Sequence, residues 1–358
     1  MTREADDDRQ PSAGRVAALV GLLFGLASMG SAAVAIALPV LAEDFALSTG
    51  GAAWVISLYA LMLAVGTSVY GRVADLVGVR APLAVGVVLM TAGATVGALA
   101  PTYPVLLGAR IVQGAGAASV AVLGTAIISA RCEGAVRSRA LGRVAGVAAA
   151  VSCLGPLLGG VVTDLFGWRA AVALPVVAVL AVPPLWRAVP TGGSGARLDV
   201  VGAGLVAATA AGLVLLLQSP STGVAVAGAG AALLAAGVPA VVRHVRRHPE
   251  GFLPRVVVTN GTVLRSSLAA ASVPAAWFAT LIAVPAVLIG RGWSPLMVGV
   301  ALLPSAATGL LAPRVAGPLL TRIGAGRALA VSAGTTAVAL LVAAVGAAAG
   351  SATLLVLG

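Results

Sequence analysis

Residues 16–42 read VAALVGLLFGLASMGSAAVAIALPVLA, twenty-seven positions without one charged side chain. A helix rises about 1.5 Å per residue and the hydrocarbon core of a bilayer is about 30 Å thick, so roughly 20 apolar residues cross it. The run is long enough, and it recurs. Comparable stretches lie at 51–71, 81–100, 104–130, 140–166, 169–189, 199–218, 223–243, 263–290, 295–316 and 327–349, joined by short arginine-bearing links, and another begins at Ser351 and is cut off at Gly358. Only helices and closed barrels satisfy their backbone in lipid, and segments of this length are helical. The pattern predicts an all-α polytopic membrane protein in which two helical bundles carry the chain through the bilayer.

Composition narrows the chemistry. Mean hydropathy is +1.08, with 60% hydrophobic and 9% charged residues, so most of the surface must face lipid. All 22 basic residues are arginine; with no lysine, the chain has neither a P-loop lysine nor a Schiff-base lysine, and ATP is not its expected fuel. The net charge of +11 is spread over many links and forms no patch for nucleic acid. Cys132 and Cys153 have no CxxC companion, His244 and His248 have no carboxylate or thiol to complete a metal site, and no nucleophile and base occur together. No metal, cofactor or enzyme activity is expected.

The arginines set the orientation. With the N-terminus inside, 19 of the 22 fall on inner segments, only Arg169 and Arg291 lie outside, and Arg110 sits within a span. The positive-inside rule therefore predicts a cytoplasmic N-terminus in the plasma membrane, behind a loose tail at 1–15. GRVADLVGVR (71–80) and GPLLTRIGAGR (317–327) align Gly71 with Gly317 and Gly78 with Gly324, each after the second helix of a bundle. This repeat predicts a six-helix bundle at 16–189, an inserted pair at 199–243, a cytoplasmic linker at 244–262, and a second bundle at 263–358 that the chain leaves incomplete.

These motifs, in this order, resemble the major facilitator superfamily, and within it the fourteen-span drug:proton antiporters. The resemblance implies that Gly71, Arg72, Asp75, Gly78 and Arg80 form the inner loop that steadies one of the two access states. It implies that LLGARIVQGAGAASV in the fourth span places Arg110 and Gln113 in the coupling core, with Gly114 as a conformational residue beside them. A guanidinium in mid-span costs at least about 2.5 kcal/mol and so needs a cavity or a polar partner. GPLLGG, with Gly155, Pro156, Gly159 and Gly160, resembles the antiporter motif; proline kinks a helix and glycines let helices approach closely, as rocking bundles require.

One match fails. Where exporters of this branch carry a first-span acid and an asparagine before ALP, this chain has Gly30 and Ala35 before Ala37, Leu38 and Pro39, and no Asp or Glu lies deep in any span. Trp54, Tyr59, Trp277 and Phe278 are the candidate substrate contacts in an otherwise apolar cavity. The expected partners are the lipid bilayer, a small amphiphilic substrate and protons. The reading is proton-linked efflux by alternating access; the alternatives are an importer or facilitator of the same fold, and an inactive or regulatory truncated permease.

Overall fold

The computed structural model describes residues 13–186, 189, 192, 199–303, 322, 323, 327, 330–346 and 348–351, with the backbone alone at 49, 135, 138, 220–222, 257, 269–279, 281 and 282. Among the described residues the chain is helical throughout, with no strand. In order, the helices are α1 (Ala13–Asp44), α2 (Thr49–Val77), α3 (Arg80–Ala98), α4 (Tyr103–Arg131), α5 (Gly134–Cys153), α6 (Gly155–Ala173), a 3-10 segment (Leu174–Ala181), α7 (Val182–Trp186), α8 (Val200–Thr222), α9 (Val224–Arg247), α10 (Arg255–Thr259), α11 (Gly261–Ile289) and α12 (Pro295–Ala301), followed by α13 (Ala330–Gly346).

Seven segments among these are long and apolar enough to cross a membrane. One of them, Arg139–Trp186, is 48 residues long, enough for two passes, and it turns at Gly167. There φ is 78°, in the left-handed region that glycine enters without cost, and helical geometry resumes at once on the far side. Gly78, at φ 84°, ends α2 in the same way. The outer surface is apolar: Leu217 is 70% exposed and Phe166 72%. An apolar exterior of this kind is stable only in lipid, and the protein is a multi-pass membrane protein.

The elements refine the expected spans. The fifth begins at Gly134, six residues before the predicted start, and bends at Leu154, where Pro156 in the next turn withholds an N–H. The sixth passes through a 3-10 segment that starts beside Pro175. The expected span at 295–316 is described only to residue 303, and the second copy of the loop repeat (317–327) lies outside the described residues apart from Arg322, Ile323 and Arg327. The tail at 1–12, most of 187–198 and 352–358 lie outside them as well.

Small residues hold the first bundle together. α4 lies between α2 and α3, and its Gly/Ala face lets both backbones close in. A Cβ on Gly66 of α2 would stand 2.6 Å from Ala118 Cβ, and one on Gly93 of α3 would stand 2.5 Å from the Gln113 nitrogen. α1 is buried along most of its length between α5 and α6. Ile36, towards its C-terminal end, packs with Val284 and Leu288 of α11 and with Val298 and Leu302, so the first bundle is joined to the second half of the chain.

Candidate transport core and the seam between the halves

Arg110 on α4 is completely buried. Its Nε donates to the Val55 carbonyl on α2 at 3.0 Å, and its Nη1 donates to Gln113 Oε1 at 2.6 Å, one turn along α4. The guanidinium lies 4.3 Å from the centroid of the Tyr59 ring, a cation–π contact made stronger by the absence of water. Gly114 lets α4 approach the Tyr59 carbonyl so closely that a Cβ there would strike it. Arg110, Gln113, Tyr59 and Gly114 thus meet at one α2–α4 crossing. Arg110 Nη2 has no partner in this buried site.

Tyr59 is buried beneath the guanidinium, while Trp54, one turn earlier, is half-buried. Ser31 on α1 is near enough to the Tyr59 phenol to influence it, yet no full hydrogen bond joins the two, and Ser31 Oγ is also buried and unpartnered. The side chains of Trp277 and Phe278 lie outside the described residues. Gly30 faces the 3-10 segment, where a side chain at its Cβ position would run into the Pro175 ring. The place of the exporters' acid is therefore filled from the sixth span.

GPLLGG lies at the start of α6 and packs in two directions. A Cβ on Gly155 would come within 2.6 Å of Ala32 Cβ, and one on Gly159 within 2.5 Å of Ala33 Cα, both on α1. On its other side Gly160 lies against the Pro295 carbonyl of α12, and Gly299 of α12 lies 2.7 Å from the Pro156 carbonyl by the same measure. At these two glycines the contact between the first bundle and the second half is backbone on backbone, beside the side-chain packing of Ile36 with Val298 and Leu302.

The GRVADLVGVR loop ends α2. Gly71 faces Val122 on α4, Asp75 is exposed, and Arg80 lies over the Trp186 ring at 4.6 Å. Arg72 Nη2 donates to the Glu250 carbonyl at 3.2 Å, beyond the end of α9.

Beside this loop is a polar cluster that the motifs do not announce. Asp199 caps α8, accepting from Gly202 N at 2.8 Å through Oδ1, while its Oδ2 accepts from Phe252 N at 2.9 Å and pairs with His244 Nε2 at 2.8 Å. Burial alone would raise the Asp199 pKa, but the two backbone N–H groups and His244 outweigh it and hold the carboxyl at about 2. His248 stacks on His244 at 4.4 Å. The signal for Asp199 was present in the sequence, a lone acid just before an apolar run; its partners 45 and 53 residues away were not marked. At the opposite end of the bundle Asp44 accepts from Trp168 Nε1 at 2.8 Å and Arg169 Nη1 at 3.0 Å, and both bonds hold its carboxyl below its usual value.

Comparison with known proteins agrees with the helix arrangement. Residues 20–358 match the Major Facilitator Superfamily. The chain belongs to that superfamily, a family of transporters and not of enzymes. It is 32% identical over 302 residues to "Multidrug resistance protein Stp" of Mycobacterium tuberculosis (strain CDC 1551 / Oshkosh), covering 82% of this chain and 56% of that protein. It is 30% identical over 339 residues to "Lincomycin resistance protein" of Streptomyces lincolnensis, covering 90% of this chain and 69% of that protein. The chain thus spans little more than half the length of Stp. In fold it is similar to the xylose transporter XylE from E. coli in a partially occluded inward-open conformation, with a TM-score of 0.59, 17% identity, and coverage of 97% of this chain and 82% of that one.

Proposed function

We propose that this superfamily member is an exporter of a small amphiphilic drug or metabolite, set in the plasma membrane with its N-terminus cytoplasmic and driven by the proton gradient. The observation that carries this reading is the GPLLGG seam. Alternating access needs two bundles that stay in contact while they rock, and glycine-lined backbone contact from α6 to α12 gives dispersion along a smooth strip of that boundary. The resistance proteins it is similar to support export, and the arginine distribution supports the orientation.

Arg110 is the coupling residue in this reading, stapling α2 to α4 and keeping one donor in reserve. Coupling then proceeds without a first-span carboxylate, since Pro175 occupies that place. The test is export of a panel of lipophilic dyes from cells expressing the chain, wild type against Arg110→Ala, with and without a protonophore. Export that is lost on both treatments is expected. Export that survives the protonophore would replace proton coupling with facilitated movement, and no export from well-inserted wild type would overturn the reading.

A further inference from the structure

The first bundle buries a positive charge whose donors it meets only in part: Val55 and Gln113 accept from Arg110, Tyr59 lies under its plane, and no anionic group among them answers the charge. Arg110 is fully buried, holds its charge as guanidinium does, and leaves Nη2 unpartnered; Ser31 Oγ is buried and unpartnered beside Tyr59. No acidic side chain lies deep in a described span. The one position at which related exporters place an acid is Gly30, where Pro175 leaves no room for a side chain. A buried charge short of partners is costly, and the group that relieves it brings an oxygen acceptor, best an anionic one.

The same helices offer a place for an apolar body. A cavity of about 310 Å³ opens among α1, α4 and α5, lined by Val20, Phe24, Val120, Leu141 and Val144, with Thr125 as its hydroxyl. Ser31 follows Phe24 by seven residues on one face of α1, about 10 Å of axis, and Arg110 precedes Val120 by ten residues on α4, about 15 Å of axis, so the polar pair lies beyond the same end of the cavity on both helices. Ala27 on α1 and Ala117 on α4, both buried, lie between them in the chain. Small residues there close the path in this conformation with little to move aside.

We propose that the first bundle binds a carboxylate-bearing amphiphile, its head accepting from Arg110 Nη2 and Ser31 Oγ and its apolar body filling the cavity between Phe24, Val120 and Val144. This rests on the transporter reading but is tested by binding alone. The probes are three fluorescent amphiphiles with one pyrene body and three heads: pyrenebutyrate, pyrenebutanamide and a pyrenebutyl trimethylammonium. Binding is measured on the purified, folded chain in detergent at neutral pH.

The carboxylate is expected to bind at least about tenfold more tightly than the ammonium, with the amide between them, as a charge-assisted hydrogen bond replaces an unmet donor. Arg110→Gln should abolish the carboxylate preference. Ser31→Ala, which keeps the packing, should weaken the carboxylate about threefold and leave the ammonium unchanged, on the scale of one lost hydrogen bond. Val144→Trp should weaken all three probes alike by filling the cavity. Equal or tighter binding of the ammonium, a carboxylate preference that survives Arg110→Gln, or no binding of any probe would overturn the proposal. If the carboxylate preference appears as expected but cells show no export, the site stands and the exporter reading falls.

Discussion

Two helices of the first bundle are each gripped by a later part of the chain, and the grips are chemical opposites. α6 meets α12 through Gly160 and Gly299, backbone against backbone, with no hydrogen bond between them among the described residues. α2 meets the α8–α9 pair through named polar contacts at both ends: Gln218 Nε2 donates to Ser57 Oγ at 2.6 Å, and Arg72 donates to the Glu250 carbonyl at 3.2 Å. Within the pair, Gly230 lies 2.6 Å, by its Cβ position, from the Leu216 nitrogen, and the Asp199 cluster closes its end. Dispersion across a smooth seam is nearly indifferent to small shifts, whereas hydrogen bonds are directional and lost within an ångström. The seam suits a moving boundary, and the clasp suits a fixed one.

The largest effect should come from roughening the seam. Gly160→Leu places a branched side chain where a single Cβ already runs into the Pro295 carbonyl of α12, and overpacking of this kind typically costs about 1–3 kcal/mol. Loss of export, with a clear drop in the thermal midpoint of the detergent-purified protein, is the expected outcome. Wild-type export and stability in this variant would mean that the seam is not close-packed in the working protein.

Next in size is a test of motion. In a background with Cys132→Ala and Cys153→Ala, a disulfide between Ile36→Cys and Val298→Cys, which pack in one buried cluster across the two halves, should form and should stop export. A disulfide between Ser57→Cys and Gln218→Cys should leave export running. Reduction with dithiothreitol should restore the first variant and change nothing in the second. If both cross-links stop export, the α8–α9 pair moves against the first bundle and the contrast between the two grips collapses.

How far the sequence could show this contrast follows from what each grip is made of. The seam was legible because GPLLGG is contiguous, and because glycine and proline act through local backbone geometry that a short motif records. Arg110 was legible because a charge in an apolar run cannot be ignored. The clasp was not, because its members are common residues scattered from Ser57 and Arg72 on α2 to 199–252, and long-range pairing leaves no spacing to read. Tyr59 was read as a substrate contact from its place in span two; only the α2–α4 crossing shows that its ring lies under the guanidinium. Gly30 was legible as a missing acid, but Pro175, 145 residues on, could be seen to fill the space only in three dimensions.

Breaking the clasp at its charged end should have a smaller effect. Asp199→Asn keeps the shape and weakens the pair with His244 and the bonds from Gly202 and Phe252. Because the folded carboxyl is lowered from 3.8 to about 2, its contribution is complete above pH 4 and fades only as pH falls towards 2. Wild type and Asp199→Asn should therefore differ by the same small drop in thermal midpoint at pH 8 and at pH 5, with export retained at both. A difference that disappears on going from pH 8 to pH 5 would show that Asp199 is not held as an ion by its three partners.

The smallest effect should come from Gln218→Leu. The partly buried neutral hydrogen bond to Ser57 is lost, worth about 1 kcal/mol, while an apolar side chain of similar size remains in contact with α2 and lipid. Removing Gln218 takes a donor from the Ser57 oxygen, while the Ser57 O–H can still donate to the carbonyl one turn back, which further reduces the cost. Thermal stability and export should both stay close to wild type, while oxidative cross-linking of cysteines placed along α2 and α8 should slow as the outer end of the pair loosens. Cross-linking at an unchanged rate would mean that Arg72 and Glu250 hold the pair alone, and that the clasp is a hinge about its inner end and not a two-point mount.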